Sequence, residues 1–135
     1  PNPARAWNEL PETMKLAVER LKGVQIENLP AIELIERYNT EDVFIYADPP
    51  YLNGTRKKYL YKFEMQDADH EELLKTLVNH PGKVLLSGYD NDMYNDMLSK
   101  WHKAYKATRA EGGRARTEIL WMNYEPEVRQ ISLSI

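Results

Sequence analysis

An acid, two prolines and an aromatic follow one another at Asp48-Pro49-Pro50-Tyr51, directly after the apolar run Val43-Phe44-Ile45-Tyr46-Ala47. Pro50 has no N–H, so the Pro49 carbonyl need not serve a local turn and can act as an acceptor facing a cleft. The Asp48 carboxylate is a second acceptor. Two acceptors converging on one amino group hold both of its hydrogens and draw the nitrogen lone pair out of conjugation with the attached ring, which readies that nitrogen to attack an electrophile. Tyr51 offers a flat face for a planar base, a contact of roughly 1–3 kcal/mol in nucleic-acid systems. A base reaches such a cage only when it is unpaired or flipped from its duplex. The competing reading of the same four residues is a strand ending in a proline-rich turn, with Asp48 as a helix cap and Tyr51 in the core.

The elements that must position this cage alternate as α/β, without repeats, in a single domain over residues 1–135. Met14, Ala17, Val18 and Leu21 recur at helical spacing and predict a helix over 11–22 ended by Gly23. Val24 to Glu27 reads as a short strand, and 31–38 as a helix with Ile32, Leu34, Ile35 and Tyr38 inward. Residues 42–47 form the strand that delivers Asp48, and its apolar run predicts burial on both faces, as in a parallel sheet. A loop with Gly54 follows over 53–63. Asp67 or Asp69 can cap a helix running to His80, with Leu73, Leu74, Leu77 and Val78 on its core face, and Pro81-Gly82 ends it. Lys83 to Ser87 is a further buried strand, 91–101 a helix carrying Tyr94, Met97, Leu98 and Trp101, and 103–109 with 116–124 a hairpin in which Trp121 belongs to the core. Residues 128–135 alternate as a last strand or a tail would.

Composition narrows the function. With 135 residues and 42% hydrophobic content, the chain can bury one modest core. No apolar stretch approaches the ~20 residues of a membrane span, and the start lacks a signal pattern, so a cytoplasmic protein without a membrane partner is expected. The absence of cysteine excludes disulfides and thiolate metal sites, and three scattered histidines make no metal cluster. A net charge of −3 suits a nucleic-acid binder poorly, because phosphate contacts need Lys or Arg. The basic residues are nevertheless segregated. Arg56, Lys57, Lys58 and Lys62 interleave with Tyr59, Tyr61 and Phe63, and a second group runs through Lys100, Lys103, Lys106, Arg109, Arg114 and Arg116. Either group is a phosphate-gripping face around the cleft or merely solvated loop charge.

Four blocks in order carry a resemblance over about Trp7 to Tyr124: Val24-Gln25-Ile26-Glu27-Asn28, Val43 to Tyr51, Gly82 to Asn91, and Gly112-Gly113-Arg114 with Arg116 to Trp121. The chain resembles the Dam-like N6-adenine DNA methyltransferases that use S-adenosylmethionine, particularly the short phage and prophage forms. The resemblance implies a partial Rossmann-like methyltransferase fold, with a mixed sheet and a C-terminal β-hairpin, acting on double-stranded DNA. It implies that Asp48 and the Pro49 carbonyl bind the target amine, that Tyr51 stacks on the flipped adenine with Pro50 beside it, and that Asp48 lies near the cofactor. Asn28, at the end of its strand, corresponds to a position that contacts the cofactor's adenine; a turn residue is the alternative. Ser87, Tyr89 and Asp90 end a parallel strand on the usual ligand-facing rim, where Tyr89 lines the adenine pocket or simply packs. Lys57, Lys58, Arg114 and Arg116 are the candidates for DNA contact. A cytosine ring-carbon methylase is excluded by the missing cysteine nucleophile, and relatives that act on cytosine amines or glutamine amides usually begin the motif with Ser or Asn.

One family feature has no counterpart. The Gly-rich turn that wraps the amino-acid end of S-adenosylmethionine needs close backbone approach, and the only adjacent glycines are Gly112 and Gly113. The chain is therefore expected to be the C-terminal part of a longer enzyme, lacking the strand that carries the cofactor loop and inactive alone; a non-enzymatic remnant or binding module is the alternative. Without the neighbouring strands of that fold, the Asp48 strand would keep an unpaired apolar edge. Either the Val24 to Asn28 strand shifts to cover it, or two copies pair there as a homodimer.

Overall fold

The computed structural model describes residues 3–52, 64–109 and 115–127. The expected loop over 53–63, with Lys57 and Lys58, the hairpin tip with Arg114, and the tail over 128–135 lie outside the described residues. Four helices and four strands are described: α1 (Pro3–Leu21), α2 (Ala31–Arg37), β1 (Ile45–Ala47), α3 (Asp67–Asn79), β2 (Val84–Tyr89), α4 (Asp92–Met97), β3 (His102–Arg109) and β4 (Ala115–Met122).

The strands form one mixed sheet in the order β1-β2-β4-β3. β1 runs parallel to β2, with Ala47 beside Leu86. β4 returns antiparallel to both β2 and β3, placing Ser87 beside Leu120 and Lys106 beside Glu118. Because side chains alternate across a strand, this register sorts the sheet into two faces. Ile45, Ala47, Val84, Leu86, Ile119 and Trp121 share the face on which α3 and α4 pack, where they join Leu73, Leu74, Leu77, Tyr94 and Leu98 in the core. Trp121 is fully buried, as its strand position predicts. Gly88 lets the indole lie close, since a Cβ there would sit 3.3 Å from Trp121 Cζ3.

The helices that support this face are legible from their ends. α3 begins at Gln66 rather than at an aspartate cap: Asp69 Oδ2 accepts from the Gln66 N–H at 2.7 Å, completing a capping box, and Asp67 and Asp69 suit the positive end of the helix dipole. Its inward stripe is His70, Leu73, Leu74 and Leu77, whereas Val78 is exposed. His70 takes the fourth place because its Nδ1 lies 2.9 Å from the Tyr94 hydroxyl of α4. In α4, Asn91 caps by accepting from the Tyr94 N–H at 2.9 Å, but the helix closes at Met97, earlier than expected, and the chain reaches β3 through Trp101.

Four expectations are corrected. Val24 to Glu27 forms no strand; Gly23 adopts φ +80° after α1, Ile26 is almost wholly exposed, and the stretch runs irregularly to α2. Strand preference is realised only against a partner edge, and this segment has none among the described residues. β1 is limited to Ile45–Ala47 and is half-buried on one face only: Phe44 and Tyr46 are more than half exposed, because no described helix covers their side of the sheet. α1 extends back to Pro3 with Pro11 inside it, along the stripe Trp7, Leu10, Met14, Ala17 and Leu21, and every described side chain on it is exposed. Tyr38, expected inward on α2, is exposed as well.

Candidate functional site

The uncovered face of the sheet carries a cleft of about 300 Å³, at the small end of the ~300–1,000 Å³ typical of ligand pockets. Tyr46, Asp48, Tyr51 and Ser87 form one side, and Lys106 and Glu118 of the β3–β4 hairpin form the other. Each reaches the cleft for a reason of register. Asp48 continues β1 one residue beyond Ala47, which brings it level with Ser87 on β2. Glu118 and Lys106 pair across β4 and β3 on the same face, because Glu118 is the partner of Tyr89, two residues after Ser87.

The carboxylate of Asp48 is exposed to the cleft but not loose. Its Oδ1 accepts from the Ser87 hydroxyl at 2.9 Å, and the same hydroxyl lies 3.2 Å from the Ala47 carbonyl oxygen. Tyr51 is half-buried, and its ring centroid lies 4.3 Å from that of Tyr89 with planes at 62°, an edge-to-face contact. Burial first, and then the negative charge of Asp48 and Glu118 with Tyr89 and Tyr46 nearby, pushes the Tyr51 phenol up to about 12. It therefore remains neutral throughout the physiological range. The cleft thus combines a carboxylate acceptor, an uncharged aromatic face and a second carboxylate on the facing hairpin. That set suits a planar ligand that donates hydrogens through an amino group.

Of the residues singled out from sequence, Asp48 and Tyr51 line this cleft together, with Pro49 and Pro50 half-buried between them. Tyr89 braces Tyr51 and is not among the lining residues. Asn28 lies exposed in the irregular segment after α1, away from the cleft lining. Arg116 is placed by its backbone near the start of β4, beside Thr108 of β3. Sequence reasoning placed Ser87 on the ligand-facing rim and Lys106 in a basic group without tying either to Asp48, and did not single out Glu118. A serine within an otherwise apolar strand was the available signal for the first; the other two needed the hairpin's register.

The described residues do not fit S-adenosylmethionine as they fit a base. Close backbone approach to its amino-acid end calls for glycine, but Gly82 is wedged against the Val43 carbonyl, Gly88 lies against Trp121, and Gly23 ends α1.

The geometry agrees with the comparisons. The family model for D12 class N6 adenine-specific DNA methyltransferases matches residues 4–114. No curated protein matches the chain. The family match covers most of the sequence and includes β1, the Asp48 to Tyr51 motif and β2. By that match, the chain belongs to the D12 class of N6 adenine-specific DNA methyltransferases.

Proposed function

We propose that the cleft receives an adenine flipped from double-stranded DNA. The exocyclic amine donates to the Asp48 carboxylate and to the Pro49 carbonyl, while the ring stacks on Tyr51 with Pro50 beside it. The observation that carries this reading is that Asp48 and Tyr51, separated by two prolines in sequence, line one cleft with the carboxylate accessible. Their contribution to reaction is to orient the amine and to place acceptors where its nitrogen becomes positive. Asp48 need not be a strong base, because the nitrogen becomes acidic only once it is quaternised. Lys57, Lys58, Arg114 and Arg116 are the candidates for phosphate contact, and Tyr89 acts through Tyr51.

S-adenosylmethionine supplies an electrophilic methyl group in this family, and Asp48 and Asn28 were the residues expected to meet it. Because neither a glycine turn nor Asn28 accompanies the cleft among the described residues, the residues there bind the acceptor base, and methyl transfer by this chain alone is not expected. The alternative, a remnant or nucleic-acid-binding module without a cofactor, is favoured by the same glycine placement. Calorimetric titration with S-adenosylmethionine divides the two from a complete enzyme: micromolar or tighter binding by this chain would contradict the missing-loop argument. The base reading is tested by fluorescence anisotropy with a duplex bearing one unpaired adenine. Binding that weakens on Tyr51→Ala supports it, and indifference to that substitution rejects it.

The same reading extends to assembly. β1 has a partner only on its β2 side among the described residues, and a second copy pairing at the other edge would satisfy it. Light scattering that reports a monomer at high concentration removes this dimer.

A further inference from the structure

The function proposed above makes Asp48 the acceptor but does not explain how an exposed carboxylate holds one direction. An aspartate at a strand end rotates about two bonds, and ordering it on binding subtracts from affinity. Ser87 removes that freedom. Its side chain is only 8% exposed. It sits at the β2 position level with Asp48, where β1 and β2 run parallel and the register leaves no choice of neighbour. Its single hydroxyl proton has two oxygens in reach, Asp48 Oδ1 at 2.9 Å and the Ala47 carbonyl at 3.2 Å. The shorter contact, to a charged acceptor, is the stronger. Among the described residues no hydrogen bond is made to Asp48 Oδ2, so with Oδ1 held the second oxygen is left for a ligand in the cleft.

Resting on the adenine reading, we infer that Ser87 is a positioning residue: it fixes the Asp48 carboxylate so that the cleft distinguishes a base carrying a 6-amino group from one without it. Val84 and Leu86 build the core from the other face of β2, whereas Ser87 stands on the cleft face, where its hydroxyl meets Asp48. Although Ser87 lines the cleft, its hydroxyl proton is committed to Asp48 and the Ala47 carbonyl, so its effect on amine recognition passes through Asp48.

The test compares two single-stranded oligonucleotides that differ at one central position, adenine in one and unsubstituted purine in the other. Affinity for each is measured by anisotropy with the full chain. The wild type binds the adenine strand more tightly, and Asp48→Ala abolishes that preference. Ser87→Ala is expected to reduce the adenine-over-purine ratio by about tenfold, the scale of one hydrogen bond to a charged group, without changing purine affinity. Ser87→Thr, which keeps the hydroxyl, retains the ratio, and Ser87→Cys, close in volume but a weak donor, behaves as the alanine variant does. Thermal melts of all three identify any variant that fails to fold, and the remaining two then decide. A ratio lost with Ala and Cys but retained with Thr supports the inference. A ratio unaltered in Ser87→Ala or Ser87→Cys, while Asp48→Ala loses it, overturns the positioning role and leaves the adenine reading intact. No preference in the wild type rejects the adenine reading, and the positioning role with it.

Discussion

Gly82 sits in the turn that leads into β2, and replacing it with alanine measures how that turn couples to the cleft. A Cβ there would overlap the Val43 carbonyl oxygen and lie 2.8 Å from His80 Nε2 and 3.0 Å from the Thr40 carbonyl oxygen. Two of these neighbours are backbone, so rotamer changes cannot relieve the clash; the turn before β2 must shift. That turn is held by the Asn123 amide donating to the Gly82 carbonyl at 2.9 Å, and the next residue, Lys83, accepts from the Ile45 N–H at 2.9 Å, the first bond between β1 and β2. Overpacking of this kind costs about 1–3 kcal/mol, which for a chain of this length lowers the melting midpoint by roughly 4–12 °C. Because the shift moves β1 against β2, it also separates Asp48 from Ser87 and weakens adenine binding. The comparison is Gly23→Ala, where no atom lies within 4 Å and the cost is only the local strain of a positive φ at an exposed helix end; its midpoint falls by less than that of Gly82→Ala. Circular-dichroism melts of the two variants decide the matter. A Gly82→Ala protein that melts with the wild type would refute the reasoning that this turn is sterically locked.

Removing the stacking face by Tyr51→Ala should weaken binding of an unpaired adenine by the roughly 1–3 kcal/mol of one base–aromatic contact, read by anisotropy, whereas Tyr51→Trp should keep most of it. Leu77→Ala, at a fully buried position between α3 and the sheet, should cost about 2–5 kcal/mol in urea denaturation. Alkali provides a further check. The Tyr51 phenol is raised from 10.0 to about 12, and burial raises Tyr94 as well. The folded state therefore holds these protons more tightly than the unfolded chain, so their contribution is complete below pH 10 and is lost as the pH rises through the folded values. Stability should fall above that point, less steeply in Tyr94→Phe, and absorbance titration should show these two tyrosines ionising after the exposed ones. Asn123→Ala removes the acceptor at 2.8 Å from the Val84 N–H together with the donor to Gly82, and should lower stability by about 1–2 kcal/mol on chemical denaturation.

Local chemistry was sufficient for much of this protein. The apolar run before Asp48 names its strand, the leucines of α3 and Pro81-Gly82 mark a helix and its end, and the alternation of Ile119 with Trp121 identifies a core-facing strand, because burial on one side imprints a period on the chain. The acid, the prolines and Tyr51 likewise bring acceptors and a stacking face to one stretch, and Asp48 and Tyr51 do line one cleft. Other outcomes depended on what lies alongside. Val24 to Glu27 has strand-forming residues but no described edge to bond with, so it stays irregular. Phe44 and Tyr46 look like core and are open because no described layer covers their face. Ser87 meets Asp48, and Tyr89 turns to Tyr51 instead of the cleft, only because parallel pairing sets β1 level with β2. Residue identity determines which groups can donate, accept or stack, and that much can be read along the chain. Which of them share a cleft is set by strand register between segments some forty residues apart, and register exists only once the sheet has formed.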